Sequence, residues 1–329
     1  VEAAVQFSFT EDQRLFADTV RDLLADQCPP TRVRAAWAGT TDRTLWSQLG
    51  EMGVLALMAP ESAGGMGMSE LDLVLLLVET GRCAMPDPVV DTAAVAVPLL
   101  AAAGHPDLAA VAGGELAVAV GFQDDPIVRI DADRLLLQRG DAWQLVPVDA
   151  VATTPEQSVD GARRMATIAW DPTPDTLVTD DAVAGERAFD RAVLGVSAQL
   201  VGLADHLLAV TVEYVQEREQ FGRPIGSYQA LKHKLADVLM AIDFARPMVA
   251  RAAYSLAHDD PEVGVHVSMA KVYASQAGLT AAAHALQCHG AIAYTVEYDL
   301  HMWMKRVWAL AAQWGDAAWH RRRVGAVIL

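Results

Sequence analysis

Arg218-Glu219-Gln220-Phe221-Gly222-Arg223-Pro224-Ile225-Gly226 lies between two long segments in which apolar residues recur every three or four positions. Upstream, Phe189 to Val215 carries Val193, Val196, Leu200, Leu203, Leu207 and Val210. Downstream, Gln229 to Leu256 carries Leu231, Leu235, Val238, Leu239, Ile242 and Val249. This spacing puts the apolar side chains on one face of each of two amphipathic helices, with Pro247 a candidate kink in the second. Gly222, Pro224 and Gly226 end the first helix and permit a tight connection to the second. Arg218, at the end of the first helix, complements the negative pole of the helix dipole, which alone would make it a capping arginine.

The nine residues are followed by Tyr228-Gln229-Ala230 and Lys234-Leu235-Ala236-Asp237. The whole string resembles the signature of the acyl-CoA dehydrogenase family, in which its arginine and phenylalanine contact the FAD of a neighbouring subunit. That resemblance implies a mostly α fold with a small β domain: an N-terminal helical domain, a middle β-sheet domain and a C-terminal four-helix bundle. It assigns Arg218 and Phe221 to cofactor binding, and it extends over nearly the whole chain.

The N-terminal part fits the expectation. Thr10, with Gln13 three residues on, is a capping-box start for a helix over Phe7 to Leu24, which Pro29-Pro30 breaks. Leu45, Trp46, Leu49 and Met52 give a second helix over Thr44 to Met52. Gly64-Gly65-Met66-Gly67-Met68 reads as a loop. Ser69 caps a helix from Glu70 to Cys83, and further helices cover Asp91 to Ala103 and Asp107 to Ala112. The strings beginning Leu49-Gly50-Glu51-Met52-Gly53 and Pro60-Glu61-Ser62-Ala63-Gly64 resemble the family's N-terminal domain at its usual place.

Helical periodicity fades after Glu115. Leu116 to Val120, Asp133 to Gln138, Ala142 to Val146 and Met165 to Trp170 are short segments bounded by turn formers, the pattern of β-strands. The domains are therefore expected at residues 1–114, 115–182 and 183–329. In the family, the middle domain carries hydroxyl-rich strings that contact the flavin ring. Here the corresponding region begins Gly121-Phe122-Gln123-Asp124-Asp125-Pro126, no such string follows, and the domain is abbreviated.

A further helix over Val263 to Cys288 ends in Gln287-Cys288-His289-Gly290-Ala291-Ile292-Ala293-Tyr294-Thr295. The family has a glutamine- and glycine-rich string here that meets the FAD of the neighbouring subunit. Gln287, Gly290, Tyr294 and Thr295 match it, while Ala291 and Ala293 stand in place of glycines. An ordinary helix end with a glycine cap explains the stretch equally well. Beside Arg218 and Phe221, the family pattern favours a cofactor role for Gln287 and Gly290.

Removing a proton from Cα of an acyl thioester needs a base. The family places its glutamate in one of two positions, which here hold Trp314 and Ala192, so no catalytic residue is assigned. Asp190 and Asp316 are each two residues out of register, about 200° of rotation on a helix. His289 and His301 near helix ends are expected to be structural. No nucleophile elbow, P-loop or metal-ligand cluster points to another chemistry.

With 329 residues the chain can bury a large core. A net charge of −17 argues against nucleic acid as a partner. Against it, Arg218 and Arg321-Arg322-Arg323 stand out as local cationic sites. No apolar run reads as a membrane span, Glu2, Glu11 and Asp12 do not suit a signal peptide, and Cys28, Cys83 and Cys288 suit free thiols in a reducing cytoplasm.

Retention of the cofactor-reaching strings without a base resembles the non-catalytic subunit of actinobacterial heterotetrameric steroid-CoA acyl-CoA dehydrogenases. The resemblance implies that FAD is shared with a catalytic partner subunit, two copies of each, acting on a bulky CoA thioester. Trp303, Trp308, Trp314 and Trp319, with Met302 and Met304, are candidate interface anchors or core residues. Two alternatives stay open: an autonomous homotetramer with a shifted aspartate base, and a structural homologue without flavin.

Overall fold

The computed structural model describes residues 8–40, 42–122 and 127–329. Glu2, Phe7 and the stretch from Gln123 to Pro126 lie outside the described residues. Six helices open the chain: α1 (Glu11–Gln27), α2 (Pro30–Trp37), α3 (Thr44–Glu51), α4 (Glu70–Arg82), α5 (Val97–Ala103), which continues a π-helical stretch over Val90–Ala96, and α6 (Leu108–Ala112). The Thr10 hydroxyl accepts from the Gln13 amide while the Gln13 side chain accepts from the Thr10 amide, closing the capping box. Ser69 and Asp72 do the same for α4. The Pro29-Pro30 pair breaks the first helix and also begins the next. Pro30 occupies the first position of α2, where a missing N–H costs nothing.

Two small sheets follow. The first has the order β1 (Val118–Gly121), β3 (Arg134–Arg139), β4 (Ala142–Pro147), β7 (Leu177–Thr179). The second has the order β2 (Ile127–Arg129), β6 (Met165–Ala169), β5 (Ala152–Glu156). β3 and β4 form an antiparallel hairpin with Leu136 opposite Leu145. β2, β5 and β7, which the sequence reading did not anticipate, are three to five residues long. β5 is exposed throughout and has no buried face to leave a periodic trace.

The C-terminal unit contains α7 (Ala182–Glu217), α8 (Gln229–Ala257), α9 (Val263–His289), α10 (Leu300–Ala312) and α11 (Ala317–Ile328), with a two-strand hairpin of β8 (Glu219–Gln220) and β9 (Arg223–Pro224) between α7 and α8. α7, α8, α9 and α10 form the bundle, and α11 packs on α9. Pro247 lies inside α8 without ending it.

α7 is long and apolar enough to cross a membrane by length and composition, yet 78% of its most apolar window is buried inside the protein. It packs against α4 through two glycines. A Cβ on Gly202 would lie 1.9 Å from the Val78 carbonyl oxygen, and one on Gly81 would lie 2.2 Å from that of Gln199. The two backbones therefore touch, and the N-terminal helices share one continuous core with the bundle.

Candidate functional site

α7 ends at Arg218, and the chain turns through β8–β9 with Phe221 and Gly222 at its tip, at φ +56° and +78°. A left-handed backbone at phenylalanine costs about 1–2 kcal/mol. Phe221 is nonetheless 91% exposed, its only ring contact among the described residues being an edge-on approach to Tyr228 at 6.5 Å. The Arg223 guanidinium lies over the Tyr228 ring at 4.2 Å, and the Tyr228 hydroxyl donates to the Gln220 carbonyl at 3.3 Å, so Tyr228 braces the hairpin from beneath. The Arg218 side chain is exposed and has no hydrogen bond or ion pair among the described residues.

The second predicted string lies at the same end of the bundle. Tyr214, one turn before Arg218, stacks on His289 with ring centroids 4.1 Å apart, and its hydroxyl donates to the His289 carbonyl at 3.5 Å. This contact joins the end of α7 to the end of α9. Gln287 is exposed on the last turn of α9. Gly290 follows at φ +68°, and no heavy atom lies within 4 Å of where its Cβ would be. The Tyr214–His289 contact thus sets both strings at the same end of the bundle, where Arg218, Phe221 and Gln287 are exposed and the Gly290 backbone is open. That combination fits an anionic, partly aromatic group such as the diphosphate and ring system of a dinucleotide. His289 is a structural residue: it is buried and its Nδ1 donates to the Ala285 carbonyl at 2.8 Å.

The two family base positions are filled differently. Ala192 is fully buried in α7. Trp314 occupies a left-handed turn at φ +53° between α10 and α11. Its ring meets Phe122 edge-on at 5.5 Å, and Phe122 also meets Trp143 and Phe189, each at 5.1 Å. Phe189 in turn meets Trp319 at 5.8 Å. Five aromatic side chains from β4, α7, α11 and two turns thus form one block around Phe122. Such a block offers apolar contact and no proton acceptor.

A hydrogen-bonded chain runs behind it. His320 Nε2 donates to the Trp314 carbonyl at 3.0 Å, and His320 Nδ1 accepts from the Ser268 hydroxyl at 3.1 Å. Arg323 reaches Ser268 Oγ at 3.4 Å and binds Asp190 Oδ1 at 2.7 Å. Asp190 is thereby committed to an ion pair beneath the block. Burial pushes its carboxyl above the ordinary value, with the Arg323 hydrogen bond opposing. A raised carboxyl also suits a base, but Asp190 is 4% exposed and its chemistry is directed at Arg323. Asp316 is exposed and caps α11, accepting from the Trp319 amide at 2.7 Å; that bond holds its carboxyl below the usual range. The Arg321–Arg323 run is accordingly divided, with Arg323 drawn inward.

Trp303, Met302 and Met304 are core residues, each no more than 2% exposed, and Trp303 Nε1 donates to the Arg82 carbonyl at 2.9 Å. They are not available as interface anchors, whereas Trp308 and Trp319 keep exposed rings. His301 is buried edge-on against Trp37 at 5.1 Å.

Residues 10–110 match the family model for the acyl-CoA dehydrogenase N-terminal domain, and residues 182–329 match the model for its C-terminal domain. The chain is 35% identical over 302 residues to the acyl-CoA dehydrogenase IpdE2 of Mycobacterium tuberculosis, covering 90% of this chain and 91% of that protein. It is 32% identical to the IpdE2 of Mycolicibacterium smegmatis, covering 97% and 99%. Among solved structures it is similar to a chain of the ChsE4–ChsE5 complex from Mycobacterium tuberculosis, with a TM-score of 0.86 at 24% identity over 98% of each chain. It is also similar to the Tcur3481–Tcur3483 steroid acyl-CoA dehydrogenase, with a TM-score of 0.84 at 25% identity over 97% of this chain and 98% of that one. By both of its helical units, and by relatives that span almost its full length, the chain belongs to the acyl-CoA dehydrogenase family.

Proposed function

We propose that this chain is the non-catalytic subunit of a heteromeric, FAD-dependent acyl-CoA dehydrogenase, and that it completes the FAD site of a catalytic partner. The observation that carries the reading is the contrast between two places in one molecule. At one end of the bundle Arg218, Phe221 and Gln287 are exposed, the Gly290 backbone is open, and Arg218 has no hydrogen bond or ion pair among the described residues. The position of a base is closed by Trp314 and the aromatic block around Phe122. The two relatives solved as pairs of named chains, one of them called a steroid acyl-CoA dehydrogenase, support a two-subunit assembly and a bulky steroid-derived CoA thioester as substrate class.

In that assembly FAD supplies the acceptor for the hydride leaving Cβ of the thioester. Arg218 would pair with diphosphate oxygens through charge-assisted hydrogen bonds. Phe221 would wall the cofactor from solvent with a ring already presented outward. Gly290 would let backbone approach where a side chain would intrude, and Gln287 would offer amide donors from the last turn of α9. Among the described residues neither candidate aspartate is free to accept the proton at Cα: Asp190 is bound to Arg323 and Asp316 accepts from the Trp319 amide of α11. The base therefore comes from the partner.

Flavin bleaching by an acyl-CoA in the co-purified complex tests the assignment. Asp316→Ala should leave the rate of flavin reduction unchanged, and Arg218→Ala should lower flavin content. Loss of the reduction rate in Asp316→Ala with full flavin content would overturn it.

A further inference from the structure

Cys28 and Cys83 stand at the C-terminal caps of α1 and α4, which lie side by side. They are 55 residues apart in sequence. The Cys28 thiol donates toward the Cys83 carbonyl oxygen at 3.8 Å and the Cys83 thiol donates toward the Thr80 carbonyl at 3.4 Å, so the Cys28 side chain lies directly against residue Cys83. Cys28 is buried at 3% exposure, whereas Cys83 is half-buried, which makes Cys83 the more accessible residue of the two. Cys288, the third free cysteine, is buried on the last turn of α9.

We propose that Cys28 and Cys83 are a redox pair that closes into a reversible disulfide on exchange with a low-molecular-weight disulfide such as oxidised glutathione. The Cys83 thiolate attacks one sulfur of the small disulfide, forming a mixed disulfide and releasing one small thiolate. Cys28 then loses its proton and attacks the Cys83 sulfur, expelling the second small thiolate. Both protein protons end on the two released thiols, and the small disulfide is reduced as the protein pair is oxidised.

The bond would close at a junction. Arg21 of α1 and Arg82 of α4 both bind Glu79, Arg82 also binds Asp205 of α7, and the Arg82 carbonyl receives Trp303 of α10. A link from α1 to the end of α4 therefore fastens the first helix where the N-terminal helices meet the bundle. It also closes a long loop in the unfolded chain, the circumstance in which a cross-link stabilises most. The neighbouring Cys28 and burial both push the Cys83 thiol well above its ordinary value. The exchange is thus slow at neutral pH and accelerates in alkali, which makes the pair a slow lock rather than a rapid sensor.

The test uses the full native chain, exposed to oxidised glutathione at about pH 8.5, then acid-quenched and mapped without reduction. The expected product is lighter by two hydrogens and yields one cross-linked peptide joining Cys28 to Cys83. Its Tm is raised by about 4–8 °C, and dithiothreitol reverses both changes. In Cys28→Ser, glutathione should remain on Cys83. The proposal is overturned if wild-type Cys83 retains glutathione, if the cross-link involves Cys288, or if both thiols stay free under conditions that cross-link the unfolded chain.

Discussion

Arg218→Ala removes a guanidinium that has no partner among the described residues, so it should leave Tm unchanged. The same change should weaken FAD binding in the assembled complex by about 10- to 100-fold, the scale of one lost charge-assisted contact. Equilibrium dialysis of flavin against the wild-type complex measures it. Asp190→Asn should do the reverse. It leaves Arg323 without its buried partner and should cost about 2–3 kcal/mol, at the low end for a broken buried pair because Arg323 is partly hydrated. Flavin reduction per bound FAD should stay at the wild-type rate. Arg218, Phe221, Gln287 and Gly290 could be proposed from the sequence because they sit in two short strings. Phe122, Trp143 and Phe189 were not. They touch only after the β domain folds against α7, and no local pattern records a contact across so many residues.

Among the elements, the long helices were legible because their apolar spacing is regular and their caps are local. Thr10 with Gln13 and Ser69 with Asp72 are three-residue signals. α2 was lost because a proline pair that ends one helix can also start another. The α4–α7 crossing, set by backbone contact at Gly202, was equally invisible. Gly202→Ala should cost about 3 kcal/mol or more, since the added methyl would overlap the Val78 carbonyl and the helices must part. Denaturant unfolding measures the loss.

The turn between α10 and α11 makes stability pH-dependent. Burial holds His320 at about 4, far below its ordinary 6.5. His206, stacked on Trp303, is likewise held at about 4, by burial and then Arg82. The unfolded chain therefore binds more protons than the folded one between pH 6.5 and about 4. The stability these two histidines contribute is fully present above 6.5 and is lost as pH drops through that window. Tm measured from pH 7.5 to 4 should decline most steeply there. His320→Gln should flatten the slope while lowering Tm at pH 7.5. Lys271 acts in the same direction at higher pH. Its Nζ donates to the Leu310 and Ala311 carbonyls at 2.7 and 3.2 Å, and burial lowers it to about 7 from 10.5, so stability should rise between those values.

At the scale of the whole molecule, the proposed reading rests on one chain that presents Arg218 and Phe221 to solvent and packs Trp314 against Phe122. The family architecture was legible from end to end, because its strings punctuate both helical units. The sequence places Trp314 where the resemblance expects a base, and the structure adds that its ring packs edge-on against Phe122. Flavin absorbance and native mass therefore form the most direct test, made on this chain alone and again after co-expression with a catalytic acyl-CoA dehydrogenase subunit. The account predicts a colourless chain alone and a yellow heterotetramer with the partner, holding one FAD for each copy of this chain. A yellow homo-oligomer whose flavin is reduced by an acyl-CoA without any partner would contradict it.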